Sequence, residues 1–237
     1  MSPPQRFADR AEAGRYLATL LAGYGGRTDV VVLALPRGGV PVAAEVAAAL
    51  RAPLEVLVVR KLGAPGRPEL AMGAIADVGS AVELVTNPDV LQFMSVSGED
   101  FDRVYRSELL ELRRRVAGYR GDRPALPVTG RVAIVVDDGF ATGATMRAAV
   151  AAVNRQCPAR VVVAVPVGPA GMASTLADRV DQVVCALTPA RFSAVYQGYD
   201  DFSQTSDEQV LAALAGAVTP AARPTAPQSP APDMPEP

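Results

Sequence analysis

The sequence of 237 residues contains no histidine and no tryptophan, and it has only two cysteines. Without histidine, Ser-His-Asp and Cys-His catalysis are excluded, as is every metal site that depends on histidine ligands. Cys185 lies in an apolar run and Cys157 at the end of a predicted helix, so both are best explained as structural thiols. Any metal ion would have to bind oxygen ligands, a preference typical of Mg²⁺.

The chain also lacks an excess of charge of either sign and a long apolar segment. Its formal net charge is −2, so no basic field attracts nucleic acid or a membrane surface. The first ten residues, "MSPPQRFADR", have no apolar core of the kind found in signal peptides. No apolar run reaches the roughly 18 residues needed to span a bilayer. We therefore expect a cytoplasmic protein with neither nucleic-acid nor membrane partners.

What the sequence does contain is an alternation of apolar and amphipathic segments. Five short apolar runs rich in β-branched residues are typical of strands buried on both faces of a parallel sheet; they cover residues 29–35, 54–60, 131–136, 159–167 and 181–187. Helical patterns lie beside or between these runs, at residues 8–24, 41–50, 145–156 and 169–179. The alternation predicts an α/β fold with a doubly wound, mostly parallel sheet flanked by helices.

Two regions interrupt this pattern. An inserted region at about residues 61–130 is expected to contain a Gly/Pro-rich loop, a short hairpin over 73–85 and a charged amphipathic helix, and insertions of this length are usually functional. Seven of the last 19 residues are proline, a composition that cannot bury enough apolar surface to fold. We therefore predict one folded domain over residues 1–217 and a disordered Pro/Ala-rich tail over 218–237.

Three predicted strands are followed by unusual sequence. The segments are "PRGG" at residues 36–39, "RKLGAPGRPEL" at 60–70 and "DDGFATGAT" at 137–145. In an open parallel sheet, ligands bind beyond the carboxyl ends of the strands. We expect these three segments to contribute to one ligand site at that edge.

The third segment carries the most specific chemical signal. Small residues leave backbone N–H groups accessible before a helix, and hydroxyl donors lie among them, which suits a phosphate; these residues are Gly139, Ala141, Thr142, Gly143, Ala144 and Thr145. The adjacent carboxylates of Asp137 and Asp138 suit the two hydroxyls of a ribose. The alternative is a tight turn with two exposed acids. The spacing fits neither the dinucleotide fingerprint nor a P-loop, which needs a lysine where Ala144 stands.

The segment "AIVVDDGFATGAT", residues 133–145, resembles the phosphoribosyl pyrophosphate (PRPP) motif of type I phosphoribosyltransferases. That motif has four or more apolar residues, Asp-Asp, and then x-x-x-T-G-x-T. The resemblance extends over roughly residues 29–205 and includes "LPRGGVPVAAEVA", "VRKLGAPGRPELAMGAIA" and "DFSQTSDEQV". The chain is similar to a bacterial group of phosphoribosyltransferase domain proteins whose physiological substrate is poorly defined. The resemblance implies the type I fold with a small hood, here at about 188–208.

The resemblance also implies how PRPP is held. Asp137 and Asp138 would bind the ribose 2′ and 3′ hydroxyls, and the stretch Ala141–Thr145 would cradle the 5′-phosphate. The "PRGG" segment would be the pyrophosphate loop, which often contains a non-proline cis peptide. Arg37 and the amides of Gly38 and Gly39 would contact the leaving group.

Catalysis, as the resemblance implies it, needs no histidine. Arg60, Lys61 and Arg67 would lie on a mobile loop that closes over PRPP, although they could equally be solvated loop charges. Displacement of pyrophosphate passes through an oxocarbenium-like state. Arg37, Arg60 and Lys61 are the predicted catalytic residues, assisted by Mg²⁺ that is held mainly by PRPP, with Asp137 and Asp138 as candidate protein ligands.

The acceptor is the least defined part of the implied function. Family members acting on 6-oxopurines have an aspartate where this chain has Ala141, which disfavours hypoxanthine or guanine as acceptor. Aromatic residues of the hood could stack on a flat acceptor or pack the hood onto the sheet; these are Phe192, Tyr196, Tyr199 and Phe202. We predict transfer to a nucleobase-like acceptor. The alternative is a non-catalytic PRPP-sensing or partner-binding protein, and monomer and homodimer both stay open.

Overall fold

The computed structural model describes residues 4–217, which form eight strands and seven α-helices. The strands are β1 (Val30–Ala34), β2 (Leu54–Val56), β3 (Val59–Ala64), β4 (Arg67–Val78), β5 (Ala81–Thr86), β6 (Val132–Val136), β7 (Arg160–Val167) and β8 (Gln182–Leu187). The helices are α1 (Arg10–Leu20), α2 (Gly39–Leu50), α3 (Pro88–Phe93), α4 (Gly98–Arg120), α5 (Ala144–Arg155), α6 (Met172–Leu176) and α7 (Asp207–Ala215). The predicted tail, 218–237, lies outside the described residues.

Five strands form a parallel sheet in the order β2-β1-β6-β7-β8. Every residue of β1 and β6 is buried, because helices cover both faces of the sheet. Val30 and Val32 belong to a core cluster with residues of α1, α2, α4 and α7. Val31 and Leu33 belong to a second cluster with residues of α5 and α6. The predicted doubly wound parallel sheet is confirmed.

The inserted region departs from the prediction at its start. The apolar run 54–60 is not one strand, because the chain leaves the parallel sheet after Val56 and enters a second, antiparallel sheet in the order β3-β4-β5. The segment 60–70, predicted as a loop, is a hairpin formed by β3 and β4. Its turn contains Gly66 with φ +73°, a left-handed conformation that favours glycine. The predicted hairpin over 73–85 is confirmed as the β4–β5 pair.

A buried ion network attaches the inserted region to the parallel sheet. Arg120, the last residue of α4, forms ion pairs with Glu55 of β2 and Asp77 of β4. Only 5% of Glu55 is exposed, and its carboxylate also accepts backbone hydrogen bonds from Val56 at 2.9 Å and Leu126 at 3.2 Å. Removal of one partner would leave a buried charge uncompensated, so these groups fix the position of α4 against both sheets.

The longest helix, α4, confirms the predicted amphipathic helix of the insertion. It spans 23 residues, buries Leu112 and Tyr119, and begins after the N-cap Ser97, whose side chain accepts a hydrogen bond from the Asp100 amide. Its charged face makes it unlike a membrane span. Across residues 4–217, no helix combines the length and the apolar character needed to cross a bilayer.

Candidate functional site

The "PRGG" loop lies directly against the acidic pair. β1 and β6 pair along their whole length, from Val30 opposite Val132 to Ala34 opposite Val136, so the segments that follow them are neighbours. A Cβ atom on Gly38 would lie 1.9 Å from Asp138 Oδ2, and one on Gly39 would lie 2.9 Å from the Asp137 Cα atom. Both positions therefore need glycine for the loop to approach the acids this closely.

The "PRGG" loop leads directly from β1 into α2. The peptide bond between Pro36 and Arg37 is cis. α2 begins at Gly39, immediately after the loop. Within residues 4–217 the Arg37 guanidinium has no hydrogen-bond partner, and its paired acid, Asp207, lies 4.0 Å away. Arg37 is therefore available to an anionic ligand.

The loop between the acids and α5 is anchored by an aromatic ring. Phe140 is 3% exposed in the second core cluster, and its amide donates a 2.8 Å hydrogen bond to the Val167 carbonyl. Gly143 has φ +71°, and a Cβ atom there would lie 2.1 Å from the Phe140 ring. Only glycine fits this conformation and this contact.

The same loop leaves several backbone donors unused. Within the described part of the chain, the amides of Ala141, Thr142 and Gly143 have no hydrogen-bond partner. The first amides of α5, including those of Ala144 and Thr145, also lack partners within the helix. Ala141, Thr142, Ala144 and Thr145 are exposed. A helix N-terminus with accessible amides is suited to a phosphate.

The two acids are partly buried, which makes their ionisation unfavourable. Burial raises the pKa of Asp137 well above its usual range, and the neighbouring Asp138 charge raises it further. The Asp138 amide opposes this by donating a 2.8 Å hydrogen bond to Asp137 Oδ1. Burial also raises the pKa of Asp138, against the opposing effect of a nearby arginine. Perturbed acids at a strand end are a feature of functional sites.

That arginine is Arg10 of α1, which the sequence analysis missed. Its Nε and Nη2 atoms each lie 2.9 Å from Asp138 Oδ2, and Nη1 donates a 2.6 Å hydrogen bond to the Ser203 carbonyl. The guanidinium carbon lies 4.1 Å from the centre of the Phe202 ring. Arg10 therefore connects Asp138 to the predicted hood. No local pattern marks it, because 128 residues separate it from Asp138.

Tyr199 of the hood also contacts the acidic pair. Its hydroxyl donates a 2.6 Å hydrogen bond to the Asp138 carbonyl oxygen, and burial raises the pKa of this phenol. The side chain is 1% exposed and packs against Phe7 and Phe202. Phe192 is partly buried in the same cluster, whereas Tyr196 is 57% exposed. Tyr199 therefore packs the hood onto the rest of the domain and is not free to stack on an acceptor. Tyr196 is the hood aromatic most accessible to an acceptor.

The cations of the second segment lie on the β3–β4 hairpin. Arg60 donates a 2.7 Å hydrogen bond to Glu108 of α4. Lys61 is exposed, and its Nζ atom lies 3.3 Å from the Glu69 carbonyl. Arg67 is exposed at the start of β4. Among the hydrogen bonds and ion pairs of residues 4–217, none joins these cations to the acidic pair.

The side chains available as metal ligands determine how the predicted magnesium ion could bind. Within residues 4–217, no three acidic or cysteine side chains are grouped so that they could hold a metal ion. Asp137 and Asp138 offer a pair of carboxylates, and Arg10 already neutralises one of them. These residues fit a Mg²⁺ whose ligands come mainly from the phosphates of a bound substrate, and they do not fit an all-protein site.

Comparison with known proteins identifies the family. A family model described as "Phosphoribosyl transferase domain" matches residues 8–200, which is most of the chain. The chain belongs to the phosphoribosyl transferase domain family. Two Mycobacterium tuberculosis proteins named "Putative phosphoribosyl transferase" are each 51% identical to it over 208 residues. The match covers 88% of this chain and 46% of theirs, so the chain spans about half the length of these curated relatives.

A solved structure shows the same fold. The crystal structure of TT1426 from Thermus thermophilus is 44% identical in sequence and superposes with a TM-score of 0.77. The match covers 88% of this chain and 97% of that chain. The predicted phosphoribosyltransferase family and its α/β fold are therefore confirmed.

Proposed function

We propose that this phosphoribosyl transferase family member binds PRPP with Mg²⁺ beyond the carboxyl ends of β1 and β6. It transfers the phosphoribosyl group to a nucleobase-like acceptor and releases pyrophosphate. The observation that carries the proposal is the direct contact between two predicted ligand segments, in which Gly38 leaves no space for a Cβ atom beside Asp138. A ribose held by the acids would place its pyrophosphate next to Arg37.

The acids supply the ribose contact in this proposal. A hydroxyl that donates to Asp137 offsets the unfavourable ionisation of a carboxylate whose pKa burial has raised. Arg10 and Tyr199 hold Asp138 by its side chain and its carbonyl, so its orientation is fixed before the ligand arrives. The unpaired amides from Ala141 onward receive the 5′-phosphate.

The transfer itself requires charge stabilisation more than covalent chemistry. The bond from ribose C1′ to the pyrophosphate oxygen breaks with its electron pair on oxygen, and the acceptor forms a new bond to C1′ as it loses a proton. Arg37 and the loop amides stabilise the charge that grows on pyrophosphate. Magnesium, when bound, neutralises further charge on the phosphate oxygens.

A PRPP-sensing protein without turnover is the second candidate. The observation that favours it is the Arg60–Glu108 ion pair, since a cation held by α4 at 2.7 Å is not placed on a leaving group. A catalytic role for Arg60 would require this pair to open when the ligand binds.

The two candidates are separated by following pyrophosphate release from PRPP and Mg²⁺ in the presence of a panel of nucleobases. The proposal expects release with at least one acceptor, and loss of that release in an Asp137→Asn, Asp138→Asn double variant. Asp178→Asn, which changes an exposed acid after α6, is the matched control. PRPP binding without release, with every acceptor tested, would favour the sensor.

A further inference from the structure

The Arg10 guanidinium lies where three parts of the candidate site meet. Its Nε and Nη2 atoms contact Asp138 Oδ2, and its Nη1 atom donates a hydrogen bond to the Ser203 carbonyl of the hood. A Cβ atom on Gly38 would lie 3.3 Å from Arg10 Nε, so the guanidinium also packs against the "PRGG" loop. Only 12% of the Arg10 side chain is exposed. One planar group therefore contacts the acids, the loop and the hood at the same time.

The position of Arg10 within its own helix gives no reason for a positive charge. Arg10 is the first residue of α1, where the helix dipole makes a cation unfavourable. The helix is already capped, because the Asp9 side chain accepts a hydrogen bond from the Glu12 amide, and Glu12 supplies a favourable acid in the first turn. The partners that stabilise Arg10 are therefore outside its helix, at Asp138 and in the hood.

The hood segment over residues 199–206 is attached to the domain at its start and in its middle. At its start, the amides of Asp200 and Asp201 donate hydrogen bonds of 2.8 and 2.9 Å to carbonyls of the N-terminal segment. In its middle, the Arg10 guanidinium lies over the Phe202 ring, 4.1 Å from its centre, which is a favourable contact between a cation and an aromatic face. A change in the mobility of Arg10 therefore acts directly on the middle of this segment.

The two edges of the guanidinium link Asp138 to the hood. Both contacts with Asp138 end on Oδ2, which leaves the other carboxylate oxygen, Oδ1, for a ribose hydroxyl. A hydroxyl that donates to Oδ1 restricts rotation of the carboxylate, and the movement of Arg10 is restricted with it. Because the guanidinium is planar and rigid, its Nη1 atom then holds the Ser203 carbonyl in a narrower range of positions. A first ligand that orders a segment lowers the entropy that a second ligand must lose there.

We propose that Arg10 couples the ribose acids to the hood, so that PRPP bound at Asp138 orders the hood segment before an acceptor binds there. Arg10 is a positioning residue in this proposal, because it acts through Asp138 and through the hood. The inference rests on the proposed function, since PRPP must occupy the acids. It adds a coupling between the two substrates. Such coupling is reciprocal, so an acceptor held in the hood should also tighten PRPP binding.

Hydrogen–deuterium exchange of the full chain measures the order of the hood segment. In the wild type, saturating PRPP and Mg²⁺ should slow amide exchange in residues 199–206 by at least about fivefold, the lower end of typical couplings between sites. Arg10→Lys keeps the charge but lacks the planar fork that contacts two partners. PRPP should still bind to this variant by calorimetry, but it should slow the exchange by less than about twofold. Arg15→Gln is the matched control, because Arg15 lies on the same helix in an exposed ion pair with Glu45 and should leave the response unchanged.

A second variant tests the coupling from the side of the hood. Phe202→Leu removes the ring beneath Arg10 and leaves the ion pair with Asp138 in place. PRPP should still bind to this variant, and the slowing of exchange in residues 199–206 should be smaller than in the wild type. A purely structural role of Arg10 would speed exchange equally with and without PRPP. The ratio of the two exchange rates in Arg10→Lys would then equal that of the wild type, which would overturn the proposal.

Failure of this inference and failure of the proposed function give different results. If PRPP binds to the wild type without slowing exchange in the hood segment, the coupling is refuted and the proposed function stands. If PRPP does not bind to the wild type, both are refuted.

Discussion

The acidic strand ends and the β3–β4 hairpin hold their charges in contrasting ways. Asp138 and Arg10 form an ion pair whose side chains are 17% and 12% exposed. Among residues 4–217, no cation forms an ion pair with the neighbouring Asp137. On the hairpin, Arg60 and Glu108 are 27% and 24% exposed, and Lys61 is exposed to solvent. Removing a charge from water is strongly unfavourable at the buried strand ends, whereas the more exposed charges of the hairpin lose little hydration. A buried charge that destabilises the fold indicates a ligand site. An exposed charge does not by itself indicate any function.

The largest effect is expected where the two ligand segments touch. Gly38→Ala places a Cβ atom 1.9 Å from Asp138 Oδ2, so the loop or the acid must move. A displacement of this size should weaken PRPP binding or turnover by about 10²-fold. Gly98→Ala, at a helix position with open space, is the control. Unchanged PRPP affinity in Gly38→Ala would mean that the loop and the acids do not share a ligand.

The hairpin yields a prediction that separates catalysis from binding. If Lys61 acts on the leaving group, Lys61→Ala should lower kcat by about 10²-fold, the scale of one lost electrostatic donor, with a much smaller loss of PRPP affinity. Steady-state kinetics with an active acceptor, beside calorimetry, measure both. Equal losses in affinity and kcat/KM with kcat unchanged would remove Lys61 from the catalytic residues.

Removing Arg10 tests the cost of charge at the strand ends. Arg10→Gln leaves the Asp138 carboxylate without its cation, and the free energy of unfolding should fall by about 2–4 kcal/mol at neutral pH. The loss should shrink in acid, where Asp138 is protonated. Arg27→Gln breaks an exposed pair with Asp29 and should cost under about 1 kcal/mol by denaturant unfolding. Equal losses in the two variants would remove the contrast between buried and exposed pairs.

The smallest predicted effect is a gain in stability, on replacing Asp137. The pKa of Asp137 is raised in the folded state. The folded chain therefore binds a proton at this carboxyl more tightly than the unfolded chain does, and the contribution of Asp137 to stability falls as the pH rises. Asp137→Asn should therefore raise the melting temperature at pH 7, by about 2–4 °C for each kcal/mol gained. The gain should vanish in acid, below the ordinary aspartate pKa, where the carboxyl is protonated in the folded and the unfolded chain alike. A lower melting temperature at pH 7 would show that the carboxylate supports the fold.

The sequence predicted the parallel sheet and the acidic loop because both depend on local patterns. Continuous apolar runs mark strands buried on both faces, and the motif at residues 133–145 fixes the order of acids, glycines and hydroxyls. The break after Val56 was missed because Leu57 and Val58 continue the apolar run and are buried as well. No change in composition marks the point where the chain passes from one sheet to the other.

The partners of the site depend on contacts between distant segments. Arg10 reaches Asp138 across 128 residues, and Tyr199 reaches it across 61. The sequence predicts a loop where the β3–β4 hairpin lies, because Gly63, Pro65, Gly66 and Pro68 are close together. In the fold, Gly63 instead allows the close approach of the Pro68 backbone, at 2.8 Å from a Cβ position. Composition alone could not distinguish a bent hairpin from an irregular loop.

The central claim is that the acidic pair binds the ribose of PRPP. Calorimetric titration with PRPP and Mg²⁺ should show affinity for the wild-type chain and at least about tenfold weaker binding for Asp137→Asn, Asp138→Asn, since charged hydrogen bonds contribute roughly 1.5–3 kcal/mol each. Asp178→Asn should bind as the wild type does, and circular dichroism should show all three folded. Equal PRPP affinity in the double variant and the wild type would contradict the claim.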